Sequence, residues 1–544
     1  MLYRLFRLFH TVKYLKFKQI FFRLIYKFRR VKADEIILPK TARWKWNGGG
    51  YSSQALYQNN KAHFIGKTYD ITPSNIWNHP EISKLWVYNL HYFDDLNSNG
   101  SIEREDFHYA FIDRWIKENP PCIGNGWEPY PISLRLVNWV KWFSRKSDVE
   151  SKYVNSIAVQ ADVLTQQIEY HILGNHLFAN AKALVFVGTY LQGGEAKKFL
   201  ELGLALLDSE ISEQFLDDGA HFELSPMYHE ILLWDLLELI DLAQLSQHPA
   251  LLKCMPEWRS VAEKALSWLG SMLHPDGEIS FFNDAAIGVA AKPQQIFNYA
   301  KKLDLIYMPN NETLLTNKAS GYSRVKTDCF TLLFDHANIG PDYLPGHAHA
   351  DTLSFEISVG QHRLFVNSGT SLYGVSKERL RQRETAAHNT VVVQNQNSSE
   401  VWSGFRVARR AYGKLLSSKS YEGKAILVAS HDGYKRLKPE VVHTRSIEAE
   451  VDGCSIIDQL SSPEAACYHL HLHPDVIVLE VEQQALLLQL PCLTLVTFKS
   501  SLPLYLKDST WHPRFGMSVG NKKIIIPFSD GYLSTNINVL KADR

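Results

Sequence analysis

The chain has 544 residues, 45% hydrophobic and 21% charged, a globular composition that excludes a disordered or collagen-like chain. At about 100–200 residues per domain, this length holds two to four domains or two large ones. The formal net charge is +1, so the protein as a whole is not a polyanion binder and no nucleic-acid partner is expected. The charge is unevenly spread: residues 1–32 carry ten Lys/Arg and no Asp or Glu, leaving 48 basic against 57 acidic residues in the rest. Aromatic residues reach 12%, with 13 Trp, which suits a sugar-binding surface and equally a large core. The six cysteines are scattered without a C-x-x-C pair, which argues against a Cys-rich zinc module and a dense disulfide framework.

The opening segment interrupts its apolar residues with Arg4, Arg7, Lys13, Lys16, Lys18 and Arg23. It therefore has no unbroken apolar region and no small-residue cleavage site of a secretion signal. Nowhere does the chain supply the roughly 20 consecutive apolar residues of a membrane span. Residues 1–45 read as a basic, aromatic-rich amphipathic arm. Either it lies on an anionic membrane surface, or its apolar side packs on the protein's own body. The compartment stays open between the periplasm and the periphery of the inner membrane.

From about residue 80 the period is helical. Segments 133–145, 154–172, 176–191, 195–215, 227–245 and 258–273 place apolar residues three and four apart, separated by Gly, Pro and Asn. Short links between successive helices imply antiparallel hairpins, and the array predicts an (α/α) domain over 46–310. After about residue 320 the period changes to two. Runs such as CFTLLFDH, TLSFEISVG, NTVVVQN, AILVASHDG and KKIIIPF are short and rich in β-branched residues, which predicts stacked antiparallel sheets, a β-sandwich, over 311–544.

Several motifs carry polar chemistry. Gly174-Asn175-His176 opens an apolar helix, where Asn175 either caps the helix or aims a donor into a cleft. A polar turn from Asp217 to Pro226 leads into a helix whose first turn holds Tyr228 and His229. Gly346-His347-Ala348-His349-Ala350-Asp351 enters the run TLSFEIS, and in extended backbone His347 and His349 share a face. His388 and Asn367 lie nearby in the pattern. Two imidazoles and a carboxylate would make a good zinc site, and the amide of Asn367 is a poorer ligand. His469, His471 and His473 share a second strand face without an acid–base partner.

Taken together, these motifs resemble the heparinase II/III-like polysaccharide lyases. The resemblance runs from WEPYPISLRLVNWVKW through GNHLFANAKAL, DGAHFELSPMYHEILL, HPDGEISFFND and GHAHADTLSFE to AHNTVVV. It implies an (α/α) toroid followed by an antiparallel β-sandwich, and β-elimination on a uronic-acid-containing polysaccharide, of the kind encoded in bacterial exopolysaccharide gene sets. That reaction needs a donor to neutralise the uronate carboxylate, where losing one oxyanion-type donor costs about 3–4 kcal/mol. It also needs a base for the C5 proton and an acid for the departing O4. By the resemblance, Asn175 neutralises the carboxylate with His176 as a helper, Tyr228 is the acid and on one epimer also the base, and His347 is the partner base. Trp127, Tyr130, Arg135, Asn138, Glu223 and Arg383 are candidate sugar contacts. His349, residue 367 and His388 correspond to a structural zinc site in some members. With Asn367 in place of Asp, a weak or absent zinc is expected, and no cofactor is required for catalysis. Three alternatives stand beside this reading: a non-catalytic polysaccharide-binding protein, a membrane-surface assembly component, and a hydrolase pairing Glu223 with Asp284.

Overall fold

The structure is a computed structural model; it describes residues 2–34, 40–421 and 423–540. Two short helices, α1 (Leu2–Val12) and α2 (Phe17–Phe28), form the arm, followed by a small antiparallel meander of Leu56–Tyr57, Lys61–Phe64 and Lys67–Asp70. The helical half then runs α3 (Lys84–Tyr92), α4 (Glu105–Glu118), α5 (Pro129–Phe143), α6 (Ser151–Thr165), α7 (Gly174–Tyr190), α8 (Gly194–Gln214), α9 (Pro226–Ser246), α10 (Pro249–Ser271) and α11 (Pro293–Lys302). Helices α7 and α9 are apolar on nearly every face and buried along most of their length. They form the centre of the array, against which α5, α8, α10 and α11 pack. Where the periodicity predicts one helix to residue 172, α6 stops at Thr165. In the loop that follows, the Asn180 amide accepts the Glu169 N–H at 2.9 Å and donates to its carboxylate at 3.0 Å. Those bonds hold residue 169 off the helix path.

The second half is antiparallel β. A five-stranded sheet takes Leu314–Asn317, Tyr322–Lys326, Phe330–Asp335, Phe355–Val359 and His362–Phe365 in chain order. An eight-stranded sheet and a four-stranded sheet follow, and one apolar core draws on all three. In the large sheet the alternation is clean: Leu427 pairs with Ile447 and Ile447 with Ile456, all three buried, because a period of two sends alternate side chains to one face. Strand Phe330–Asp335 is instead buried throughout. Phe330, Leu332 and Phe334 enter the β core, while Leu333 packs with Trp268 and Phe282 of the helical half.

That strand is one of the fasteners between the halves. Glu356 is another: fully buried, it accepts from His274 Nε2 at 2.9 Å and from the Phe281 N–H at 3.0 Å. Asn283 accepts the His349 N–H at 2.9 Å and donates to Leu224 O at 2.9 Å. The segment around residues 279–286 is thereby clamped between α9 and the β half, and it delivers Asp284 to the junction.

Candidate functional site

A cleft of about 2440 Å³ opens along this junction, well beyond the roughly 300–1,000 Å³ of a small-molecule pocket and large enough for several sugar rings. Its helical wall comes from one side of α5 and the N-terminal halves of α7 and α9, and its β wall from the segments around His347, Tyr373 and Phe405.

His347 is fixed from behind. The Asp284 carboxylate is fully buried and lies 2.9 Å from His347 Nδ1, 2.8 Å from His349 Nε2 and 2.6 Å from an Arg379 nitrogen, with a second Arg379 contact. Burial opposes its ionisation, yet the Arg379 guanidinium and the two imidazole contacts hold it well below the usual carboxylate range. An ionised carboxylate only accepts, so His347 donates Nδ1–H to Asp284 and keeps the Nε2 lone pair for the cleft. The expected convergence of His347 and His349 is therefore real, but its cause differs. Residues 346–351 form no strand, and the two rings meet because each takes one oxygen of Asp284.

Tyr228 sits in the first turn of α9, started by Pro226 and capped by Ser225, whose Oγ accepts the Tyr228 N–H at 3.2 Å. Its ring lies on that of His347 with centroids 4.0 Å apart, and its hydroxyl is 3.0 Å from the Tyr373 hydroxyl. Burial, then the Tyr373 contact, hold the phenol well above its ordinary value of 10. It is a proton donor at neutral pH.

Asn175 is inside α7; the cap position is Leu173, with no side-chain cap bond. The helix-cap reading thus fails, and the Asn175 side chain lines the cleft together with Tyr130. Beside it His176 stacks on Tyr130, centroids 4.4 Å apart, and donates to Glu169 at 2.9 Å. Burial disfavours its charge, but the Glu169 carboxylate outweighs burial and raises the imidazole above its ordinary value. Gly174, at φ +60°, has no Cβ; one there would meet Leu344 Cδ2 at 2.5 Å and the Glu223 carboxylate at 3.3 Å. Glu223 lies 3.8 Å from His347 Nε2. Burial raises its pKa, with His347 and His176 opposing.

Of the candidate sugar contacts, Tyr130, Asn138 and Glu223 line the cleft, and Trp127, Arg135 and Arg383 do not. Trp127 is buried against Trp115 and donates to Asn119 O. Arg135 is fully buried, bonded to Gln160 and Gly126 O. Arg383 donates twice to Ala348 O, at 3.0 and 2.8 Å, and so holds the backbone between the two histidines. The sequence reading missed Tyr373 and Arg379, which belong to no motif, and weighed Asp284 only as a hydrolase carboxylate. Asp284 does not suit that part: it is fully buried behind His347 and does not line the cleft. Of the second histidine cluster, His471 donates Nε2–H to Ala386 O at 3.0 Å and serves packing.

His349, Asp351 and His388 bring ligand atoms within 4.8 Å of one another. The Asn367 amide is engaged elsewhere. It accepts the Asn389 N–H at 3.1 Å and faces Ser354, so Asp351 supplies the carboxylate that position 367 lacks. The tautomers fit a cation. His388 Nδ1–H donates to Glu384 O and His349 Nε2–H to Asp284. That leaves His349 Nδ1 and His388 Nε2 facing each other at 3.0 Å with a lone pair on each. Two imidazole lone pairs beside a carboxylate are a zinc-type donor set.

A helical array followed by antiparallel sheets, with a cleft at their junction, places the chain among the two-part toroid-and-sheet proteins. Residues 77–314 match the heparinase II/III N-terminus and residues 311–540 the heparinase II/III-like C-terminal domain; the chain belongs to the heparinase II/III-like family. It is 26% identical over 384 residues to a heparin-sulfate lyase of Bacteroides thetaiotaomicron, covering 61% of this chain and 52% of the relative. To one of Bacteroides stercoris it is 23% identical over 423 residues, covering 70% and 58%. The chain thus spans little more than half the length of the curated relatives it matches. Its fold resembles the crystal structure of heparinase III (TM-score 0.69, 16% identity, 85% of this chain and 77% of the other). It also resembles the heparan sulfate lyase of Pedobacter heparinus (TM-score 0.59, 16% identity, 89% and 82%).

Proposed function

We propose that this protein is a polysaccharide lyase that cleaves a uronic-acid-containing polysaccharide by β-elimination. The observation that carries this is the stacked His347–Tyr228 pair, one ring held as a base by Asp284 and the other a protonated phenol, facing the donors of Asn175 and His176 across one cleft. The names of the relatives as heparin-sulfate lyases support an anionic substrate, as do Arg406 and Arg514 at the exposed edge of the cleft.

The chemistry divides among these groups. Asn175 and His176, whose charged form Glu169 favours, neutralise the uronate carboxylate, which stabilises the carbanion character that develops at C5. His347 Nε2 takes the C5 proton. The electron pair left behind forms the C4–C5 double bond as the C4–O4 bond breaks, and Tyr228 delivers its proton to O4. Tyr373 lies next in line to restore that proton. Stacking on His347 fixes Tyr228 in place, so base and acid act on adjacent carbons. His349, Asp351 and His388 would hold a zinc ion, which supplies rigidity beside Asp284.

The test is incubation with a panel of uronate polysaccharides. New ultraviolet absorbance from a 4,5-unsaturated uronate, lost in Tyr228→Phe, is the expected result. Cleavage that yields only saturated reducing ends would refute elimination.

A further inference from the structure

A surface helix ordinarily turns its apolar stripe to the body and its polar face to water. The arm does the reverse. In α2, Gln19, Phe22 and Tyr26 face inward: Gln19 donates to Tyr343 O at 3.2 Å, Phe22 packs on Tyr170 with centroids 4.6 Å apart, and the Tyr26 hydroxyl donates to Ile168 O. The opposite face carries Phe17, Ile20, Phe21, Leu24 and Phe28, spaced three and four apart and all exposed, Phe17 by 79% and Phe28 by 85%. In α1 the inward residue is Thr11, bonded to Val407 O at 3.3 Å and to Trp402 Nε1 at 3.1 Å, and in the turn that follows Tyr14 lies under Arg410 at 3.7 Å. Leu5 and Phe9 point away, Phe9 by 64%. Among the described residues, five of the six exposed phenylalanines of the molecule are on these two helices.

The arm is held in this pose. It is tied to the helical half through Lys16–Glu213 at 2.5 Å and to the β half through Thr11. An apolar face of this size on a fastened element marks a binding surface. Its chemistry narrows the occupant. Lys13, Lys27, Arg29, Arg30 and Lys32 are exposed around it, and residues 1–32 contain no acidic side chain. A second copy docked face to face would bring two such cationic arms together. A layer of anionic phosphate headgroups over acyl chains complements both the charge and the phenyl rings. Neither helix is long and apolar enough to cross a bilayer.

We propose that the outward face of α1 and α2 is a docking surface for an anionic lipid bilayer, on which the arm lies in the interfacial plane. The cleftward edge of the same arm, with Leu8, Val12 and Arg23 of the helices and Leu15 of the turn between them, forms part of the cleft wall, so docking sets the cleft beside the membrane surface.

The test is sedimentation of the full chain with vesicles of phosphatidylcholine alone and of phosphatidylcholine mixed with an equal amount of phosphatidylglycerol. No polysaccharide is present, so the result is independent of the lyase reading. Binding is expected only to the anionic vesicles, weakening as salt is raised. The combined variant Phe17→Ser, Phe21→Ser, Leu24→Ser is expected to bind at least about tenfold more weakly, as is Lys13→Glu, Lys27→Glu, Arg30→Glu. Neither should lower the unfolding temperature, since the ring contacts of Phe17, Phe21 and Lys13 stay within the arm. Failure of the parent to bind anionic vesicles at low salt overturns the proposal. So does undiminished binding by both variants, or a dimer by light scattering that the serine variant dissociates.

Discussion

Replacing Tyr228 by Phe separates the chemistry of the site from its architecture. The ring and its 4.0 Å stacking on His347 remain; only the hydroxyl, 3.0 Å from that of Tyr373, is lost. A neutral hydrogen bond contributes about 0.5–1.5 kcal/mol net. The orphaned Tyr373 hydroxyl borders the cleft, where water can replace its partner, so the expected stability loss is about 1 kcal/mol or less. The catalytic loss should be far larger, because a positioned general acid contributes about 10²–10⁴-fold, or about 3–5 kcal/mol at about 1.4 kcal/mol per tenfold. Tyr373→Phe breaks the same hydrogen bond at the same cost in stability but leaves the donor in place, so its turnover should stay within about tenfold of the parent. Thermal unfolding and ultraviolet-monitored elimination on one substrate measure both. Turnover by Tyr228→Phe at the parent's rate would exclude Tyr228 as the acid. A fall in Tyr373→Phe as deep as that in Tyr228→Phe would make Tyr373 the proton donor instead.

Four further outcomes follow from the same geometry. Asn175→Ala should lower kcat more than it weakens substrate binding, because its donor matters most as charge builds in the transition state; equal losses in a kcat-against-KM comparison would contradict this. Asp284→Asn should cost about 3–5 kcal/mol of stability by leaving buried Arg379 unpaired, measured by denaturant unfolding; an unchanged midpoint would show that the bidentate pair contributes nothing. Glu223 has a raised pKa, so the native state holds its proton longer than the unfolded chain, and stability should fall as pH rises from about 4.3 through the raised value. Glu223→Gln should flatten that fall in thermal melts across the same range, while a steeper fall would reverse the sign. Zinc should bind near stoichiometry and be lost in His388→Ala, as read by metal analysis after mild chelation; equal zinc in parent and variant would exclude the His349–Asp351–His388 group.

The change of period from 3.6 to two near residue 320 was legible because each half buries a continuous face, and a buried face writes its spacing into the sequence. Asn175, Tyr228 and His347 were legible for another reason: each stands in a short local motif at the start of a helix or loop. Tyr373 and Arg379 stand in no such motif, and Asp284 closes the run HPDGEISFFND without a local sign of its partners. They come together only when the segment around residue 284 is clamped between α9 and the β half, and Arg379 reaches the carboxylate from 95 residues away in the chain. The same holds for the metal group. Sequence spacing offered Asn367 as the third ligand, yet a backbone N–H had claimed its amide, and Asp351 was the carboxylate that the fold turned toward His349 and His388. The sequence likewise showed that residues 1–32 were amphipathic and basic, but not which side of the arm would meet the body. Hydrogen bonds to Tyr343, Ile168 and Val407 decided that, because backbone carbonyls on the body's surface satisfy a glutamine, a tyrosine and a threonine better than they satisfy phenylalanine. Local pattern therefore determined elements and motif residues, while side chains distant in sequence, joined by buried charge and hydrogen bonding, decided how the site is held.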